Sequence, residues 1–258
     1  MGRITETIKV LIIINVIFFL GTMLLDGDLL YKLFSLYYFE NPNFQFWQPI
    51  THMFMHGGLF HLIFNMYALW AFGSPLEMQW GRNKFLFFYF SAGLGAFLIH
   101  TLVNYYYFKT GFDALTAAGY ADAQIFEMIN DVIRQATSSG SGNYQVNLPE
   151  GFPVSDFSGM VDAYYSRAVG ASGAVYGVLV AFGLLYPNAE LMLLFFPVPI
   201  KAKYFIPGLL LLDLFSGVTG FSLFGQNIAN WAHIGGAIFG FIMAYYWKKN
   251  SMNNTRWN

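Results

Sequence analysis

Six apolar stretches dominate the chain, at residues 8–25, 59–76, 85–108, 172–186, 204–218 and 228–247. A hydrocarbon core about 30 Å thick needs roughly 20 helical residues to cross it. The fourth and fifth stretches are short by that measure. No water reaches the bilayer core, so each backbone N–H and C=O must be satisfied within the segment, which selects helices. The sequence therefore predicts an all-α polytopic membrane protein. Composition agrees, since 56% of the 258 residues are hydrophobic, 20% are aromatic and only 10% are charged. Lipid is the solvent for most of such a chain. Arg3 and Lys9 flank the first stretch as they would in a signal peptide. That stretch is long, however, and has no small-residue cleavage site before Asp26, so it reads as a retained span.

Charge sets the orientation. With the N-terminus inside, nine of the 13 Lys and Arg residues are cytoplasmic, and only Lys32, Lys109, Arg134 and Arg167 lie outside. Six spans keep the Lys248–Lys249 pair on the cytoplasmic side with the N-terminus. The expectation is thus a multi-pass protein of the cell (inner) membrane with both termini cytoplasmic. Two outer segments are long. Residues 26–58 are rich in aromatics and broken by Pro42 and Pro49, which suits a structure lying partly in the interface. Residues 109–169 are polar and acidic, and read as an external insertion between the third and fourth helices of a single membrane domain covering residues 1–258. One amphipathic helix is predicted there, at 121–136, with Ile125, Met128, Ile129, Val132 and Ile133 on one side.

Net charge is -1, so there is no concentrated basic surface and nucleic acid is not an expected partner. Cysteine is absent, which excludes disulfides, thiolate metal sites and cysteine nucleophiles. His52, His56 and His61 raise a metal or haem reading. Only the first two share a helical face, no carboxylate accompanies them, and no His-Glu-x-x-His run exists, so a metal or haem site is not expected from them.

Polar groups inside spans are costly and therefore candidates for function. Ser172 opens the fourth helix from the glycine-rich run Gly170-Ala-Ser-Gly. A serine there reads equally as a helix cap. His233 lies on the sixth. Each is 14 positions from the inner end of its helix, at Tyr186 and Trp247, so both sit about 21 Å above the cytoplasmic face at 1.5 Å per residue. That is about 10 Å beneath the outer surface. Gly173 and Gly177 on one helix and Gly236 and Gly240 on the other are spaced for close helix packing. Close approach would let Ser172 act as a nucleophile with His233 as its base. On the second helix His61 and Asn65 share a face, Asn65 roughly 16 Å above Leu76. Together with the Ser172 backbone N–H they are candidate oxyanion donors. Taken singly, they read as a loop-anchoring histidine and an asparagine bonded between helices. Tyr176, one turn below Ser172, is placed to stack on the His233 ring and hold it in the absence of an acidic partner. Asp213 is the only acid deep in a span, and reads as a hydrogen-bonded residue of a helix interface.

Three motifs on three spans resemble those of the rhomboid proteases. They are His52-Met-Phe-Met-His56-Gly-Gly-Leu-Phe-His61-Leu-Ile-Phe-Asn65, then Gly170-Ala-Ser172-Gly with Tyr176, then Ala232-His233-x-x-Gly236-x-x-x-Gly240. The resemblance implies a six-transmembrane-helix rhomboid fold and a Ser172–His233 dyad that cleaves single-span membrane proteins near the outer face. It also implies that substrate and lipid are the partners, with no cofactor, and that the fifth helix and the loop 219–227 form a lateral gate and cap. Two departures stand out. Trp47 is followed by Gln48 where members commonly carry arginine, and the insertion is long for a bacterial six-helix form.

Overall fold

The computed structural model describes residues 3–139, 144–193, 196–221 and 229–254. Most of the loop 219–227, with Gly225, lies outside them. The chain divides into two compact units, one of residues 1–36, 45–100 and 168–258, the other of residues 37–44 and 101–167.

The first unit is built from α1 (Glu6–Leu24), α2 (Gly27–Phe34), α3 (Gln48–Thr51), α4 (Leu59–Trp80), the first half of α5 (Arg82–Ala117), α8 (Ser172–Leu185), α9 (Ala202–Thr219) and α10 (Asn230–Asn254). A short antiparallel hairpin, β1 (Glu190–Leu193) with β2 (Phe196–Lys201), joins α8 to α9. Its surface inverts that of a water-soluble protein. Leu24, Phe60, Leu211, Val218 and Ile242 face outward, while Asn15, His52, His56, Asn65, Glu77, Asp213 and His233 are buried. This is the pattern expected where lipid is the solvent.

Four helices, α1, α4, α5 and α9, are long and apolar enough to cross a membrane. Of the six spans expected from sequence, these four meet the length and hydropathy of a membrane crossing, and the other two stretches form helices of different character. At 14 residues α8 is apolar but short. The 25 residues of α10 are long enough, but Asn230, His233, Gly235, Gly236 and Gly240 dilute its hydropathy. These two helices are packed on each other by small residues. A Cβ added at Gly240 would lie 2.5 Å from the Gly177 Cα, and one at Gly236 would overlap the Gly173 carbonyl outright.

One end of the helix bundle carries aromatic and basic groups of the kind that interfacial belts use. Lys84 Nζ sits 4.3 Å from the centroid of the Trp247 ring, which meets Trp80 edge to face. Lys248 donates to the Leu184 carbonyl at 2.8 Å, supplying one of the donors that the last turn of α8 lacks. Glu77, buried near the end of α4, accepts from the Thr5 hydroxyl and from the backbone N–H groups of Thr7 and Ile8 at the start of α1.

The segment 26–58 shows what Gln48 bonds at the position after Trp47. Asp26 caps α2 through the Leu29 N–H at 3.0 Å. The far end of α2 is closed by three side chains from α3 and the residue before it. Gln48 Nε2 donates to the Lys32 carbonyl at 3.2 Å, Trp47 Nε1 to Leu33 at 2.8 Å, and Thr51 Oγ1 to Phe34 at 2.9 Å. The uncharged Gln48 amide is long enough to reach the Lys32 and Leu33 carbonyls in the last turn of α2.

The second unit packs the continuation of α5 with α6 (Asp122–Ser139) and α7 (Val154–Tyr165). Its core holds Tyr38, Phe108, Leu115, Ile125, Ile129, Val132, Phe157, Met160 and Tyr164. The predicted amphipathic helix is α6, with Ile125, Ile129 and Val132 inward. Two features differ from expectation. Rather than stopping near Phe108, α5 runs on to Ala117, because the run 104–117 loses hydropathy without any helix breaker but Gly111. That glycine is required, since a Cβ there would lie 2.6 Å from the Asp156 carbonyl. The helix α7 was not expected.

Candidate active site

Ser172 is the first residue of α8, not its cap. The position before it is Ala171, and no side chain caps the helix. The serine hydroxyl is therefore free for another partner. Its Oγ lies 2.9 Å from His233 Nε2, across the glycine contact between α8 and α10. The Tyr176 ring, one turn down α8, stacks on the imidazole with centroids 4.1 Å apart and planes within 10°. His233 itself is 8% exposed.

The loop before Ser172 is set by a glycine with no substitute. Gly170 has φ +122°, which disfavours L side chains, and a Cβ there would come within 2.8 Å of the His61 ring. Its N–H donates to the His52 carbonyl at 2.9 Å. The His52 ring is in turn held by Nδ1 at 2.8 Å from the Gln48 carbonyl. Gln48, His52 and the serine loop thus form one bonded chain. A small cavity adjoins Ser172, lined among others by His52, His100, Met53, Ala96 and Gly170.

His61 and Asn65 are on α4, where the sequence placed them. His61 Nδ1 accepts weakly from the Gly57 N–H at 3.4 Å, and its ring meets His56 edge to face. Asn65 is 6% exposed and donates from Nδ2 to the His61 carbonyl one turn back, at 3.0 Å. One of the two Asn65 N–H groups is engaged by that bond, and an amide nitrogen carries two.

Sequence reasoning left His233 without an acidic partner, and here the structure differs. Asp213 of α9 places Oδ1 3.1 Å from His233 Nδ1. Its depth was a usable signal. Asp213 is 11 positions above the start of α9, or about 16 Å, within side-chain reach of the level assigned to His233. Depth along an axis says nothing of the direction in which a helix faces, and an interface role was the simpler reading.

The Rhomboid domain family model matches residues 43–129 and 150–250. Among curated proteins, an uncharacterized mitochondrial rhomboid protein of Schizosaccharomyces pombe is 26% identical over 219 residues, 81% of this chain and 53% of that protein. The mitochondrial presenilin-associated rhomboid-like protein of Bos taurus is 26% identical over 188 residues, 72% of this chain and 34% of its own length. The rhomboid protease GlpG of Serratia proteamaculans is 23% identical over 251 residues, 96% of this chain and 64% of that protein. The chain thus spans about half the length of the first of these relatives and about a third of the second.

Proposed function

Because the chain belongs to the rhomboid family, we propose that it is an intramembrane serine endopeptidase that cleaves single-span membrane proteins near the outer membrane face. The observation that carries this reading is the 2.9 Å contact between Ser172 Oγ and His233 Nε2 in a membrane-embedded unit. A scaffold that only bound membrane proteins would have no need of it.

In this mechanism Ser172 Oγ attacks the scissile carbonyl carbon while its proton passes to His233 Nε2. The carbonyl π pair moves onto oxygen, and the oxyanion is met by donors held in place beforehand. Those donors are the Ser172 backbone N–H, which as a first-turn amide has no intrahelical partner, the Asn65 amide and the His61 ring. Collapse breaks the C–N bond, and the leaving amine takes the proton from Nε2. Water then attacks the ester carbon and gives a proton to Nε2, after which the ester C–O bond breaks, Ser172 Oγ takes that proton back from Nε2 and the new carboxyl terminus leaves. Tyr176 keeps the imidazole plane fixed throughout. No cofactor is called for, and the partners are transmembrane substrates and lipid.

A substrate helix buries its carbonyls in its own hydrogen bonds, so it must unwind locally to be cut. Backbone groups freed in lipid are costly. Unwinding is therefore confined to the outer end of the span, where Gly or Pro weakens the helix. This agrees with an N-in, C-in topology in a cell membrane, which places Ser172 on the outer side. The test is incubation of the purified chain in liposomes with a panel of single-span proteins. At least one should be cut, and Ser172→Ala should leave all of them intact. Cleavage that persists in Ser172→Ala would reject the reading.

Asn65→Ala is expected to lower turnover by about a hundredfold or less, the scale of a single lost oxyanion donor when others remain. Thermal unfolding in detergent should be little changed. Unfolding of Asn65→Ala, with normal activity in the fraction that stays folded, would instead assign the residue a structural role.

A further inference from the structure

A buried carboxylate in a membrane span is costly and needs a reason. Asp213 is 8% exposed. Its Oδ2 has no hydrogen-bond partner among the described residues, while Oδ1 meets His233 Nδ1 at 3.1 Å. A buried oxygen left without a partner calls for an explanation. Here the carboxylate is spent on one ring nitrogen, and the opposite nitrogen of that ring faces the serine.

The chemistry of the imidazole makes this one-sided arrangement informative. An ionised carboxylate can only accept, so Nδ1 must carry the proton. Nε2 is then the lone-pair nitrogen, the form needed to take a proton from Ser172. Once that proton has moved, the ring is a cation, and the adjacent carboxylate stabilises it. We propose that Asp213 is a positioning residue that holds His233 in its Nδ1–H tautomer and stabilises its imidazolium, so that Ser172, His233 and Asp213 act as a triad drawn from α8, α10 and α9. This rests on the protease reading above.

Other titratable groups interact with the same ring or carboxylate. They are Tyr176 of α8, near the Asp213 carboxylate, with His61 of α4 and His100 of α5, both of which feel His233. None of them offers an ionised acceptor to Nδ1. The stacked Tyr176 fixes the plane of the ring, and the tautomer is left to Asp213.

The experiment needs no known substrate. The full chain in detergent is labelled with a fluorophosphonate across a pH series, and the rate at Ser172 is compared for the unsubstituted protein, Asp213→Asn and Asp213→Glu. An asparagine can donate to Nδ1 and so favours the wrong tautomer. Asp213→Asn should label roughly 10² to 10⁴ times more slowly at neutral pH. The acid limb of its profile should move to lower pH, and Asp213→Glu should recover part of the rate. A direct check is the ¹⁵N spectrum of His233 in Ser172→Ala, which avoids any change at Asp213 and should show the proton on Nδ1. Asp213→Asn labelling at an unchanged rate with an unmoved acid limb, or a proton found on Nε2, would overturn the triad while leaving the protease reading intact. Absence of Ser172-dependent labelling in the unsubstituted protein would overturn both.

Discussion

Ser172→Ala, His233→Ala and the double substitution are each expected to lower cleavage in liposomes by the same factor, on the order of 10⁶, and not by the product of two losses. A serine hydroxyl is a weak nucleophile until a base takes its proton, and a base beside alanine has nothing to activate. In the proposed mechanism the 2.9 Å bond makes the two side chains a single device. Steady-state turnover of the three variants at equal folded concentration decides the matter. Two single losses that multiply in the double variant would mean that serine and histidine act separately.

The second large effect concerns the scaffold. Gly236→Leu is expected to prevent α8 and α10 from packing, removing cooperative thermal unfolding in detergent and fluorophosphonate labelling together. The first atom of any side chain at this position would overlap the Gly173 carbonyl, and backbone cannot swing aside as a side chain can. Overpacking of ordinary cores already costs about 1–3 kcal/mol, a large part of a typical folding free energy of roughly 5–15 kcal/mol. Gly208→Leu on α9 is the control, because a Cβ there meets nothing within 4 Å. It should fold and label normally. Equal damage from the two substitutions would mean that glycine content, not the α8–α10 approach, is what matters.

Long apolar runs and depth arithmetic made much of this legible in advance. The four long spans α1, α4, α5 and α9 stand out because lipid demands uninterrupted hydropathy. The Ser172–His233 contact followed from two equal distances to the inner helix ends, together with glycines that permit approach. The stacking of Tyr176 followed from its place one turn below the serine. Sequence was a poorer guide where the solvent changes. The start of α7 hides in a polar stretch, although Phe157, Met160, Val161 and Tyr164 recur at helical spacing and all are buried. The extension of α5 to Ala117 is a matter of helical continuity, which hydropathy does not measure. Asp213 was missed because its partner is chosen by the rotation of α9 about its own axis, a quantity absent from any one-dimensional count. The role of Gln48 was invisible for the same reason, since its amide answers carbonyls 15 and 16 residues away.

The bond between Ser172 and His233 joins residues 61 positions apart, with α9 and its carboxylate between them. On a ribosome making about 5–20 residues per second, several seconds separate the synthesis of the serine from that of the histidine. During that interval α8 can enter the bilayer with its hydroxyl in place and no base beside it. In the proposed mechanism the serine gains its base only once α10 has packed against the glycines of α8, so the order in which the two helices are made separates the nucleophile from its activation.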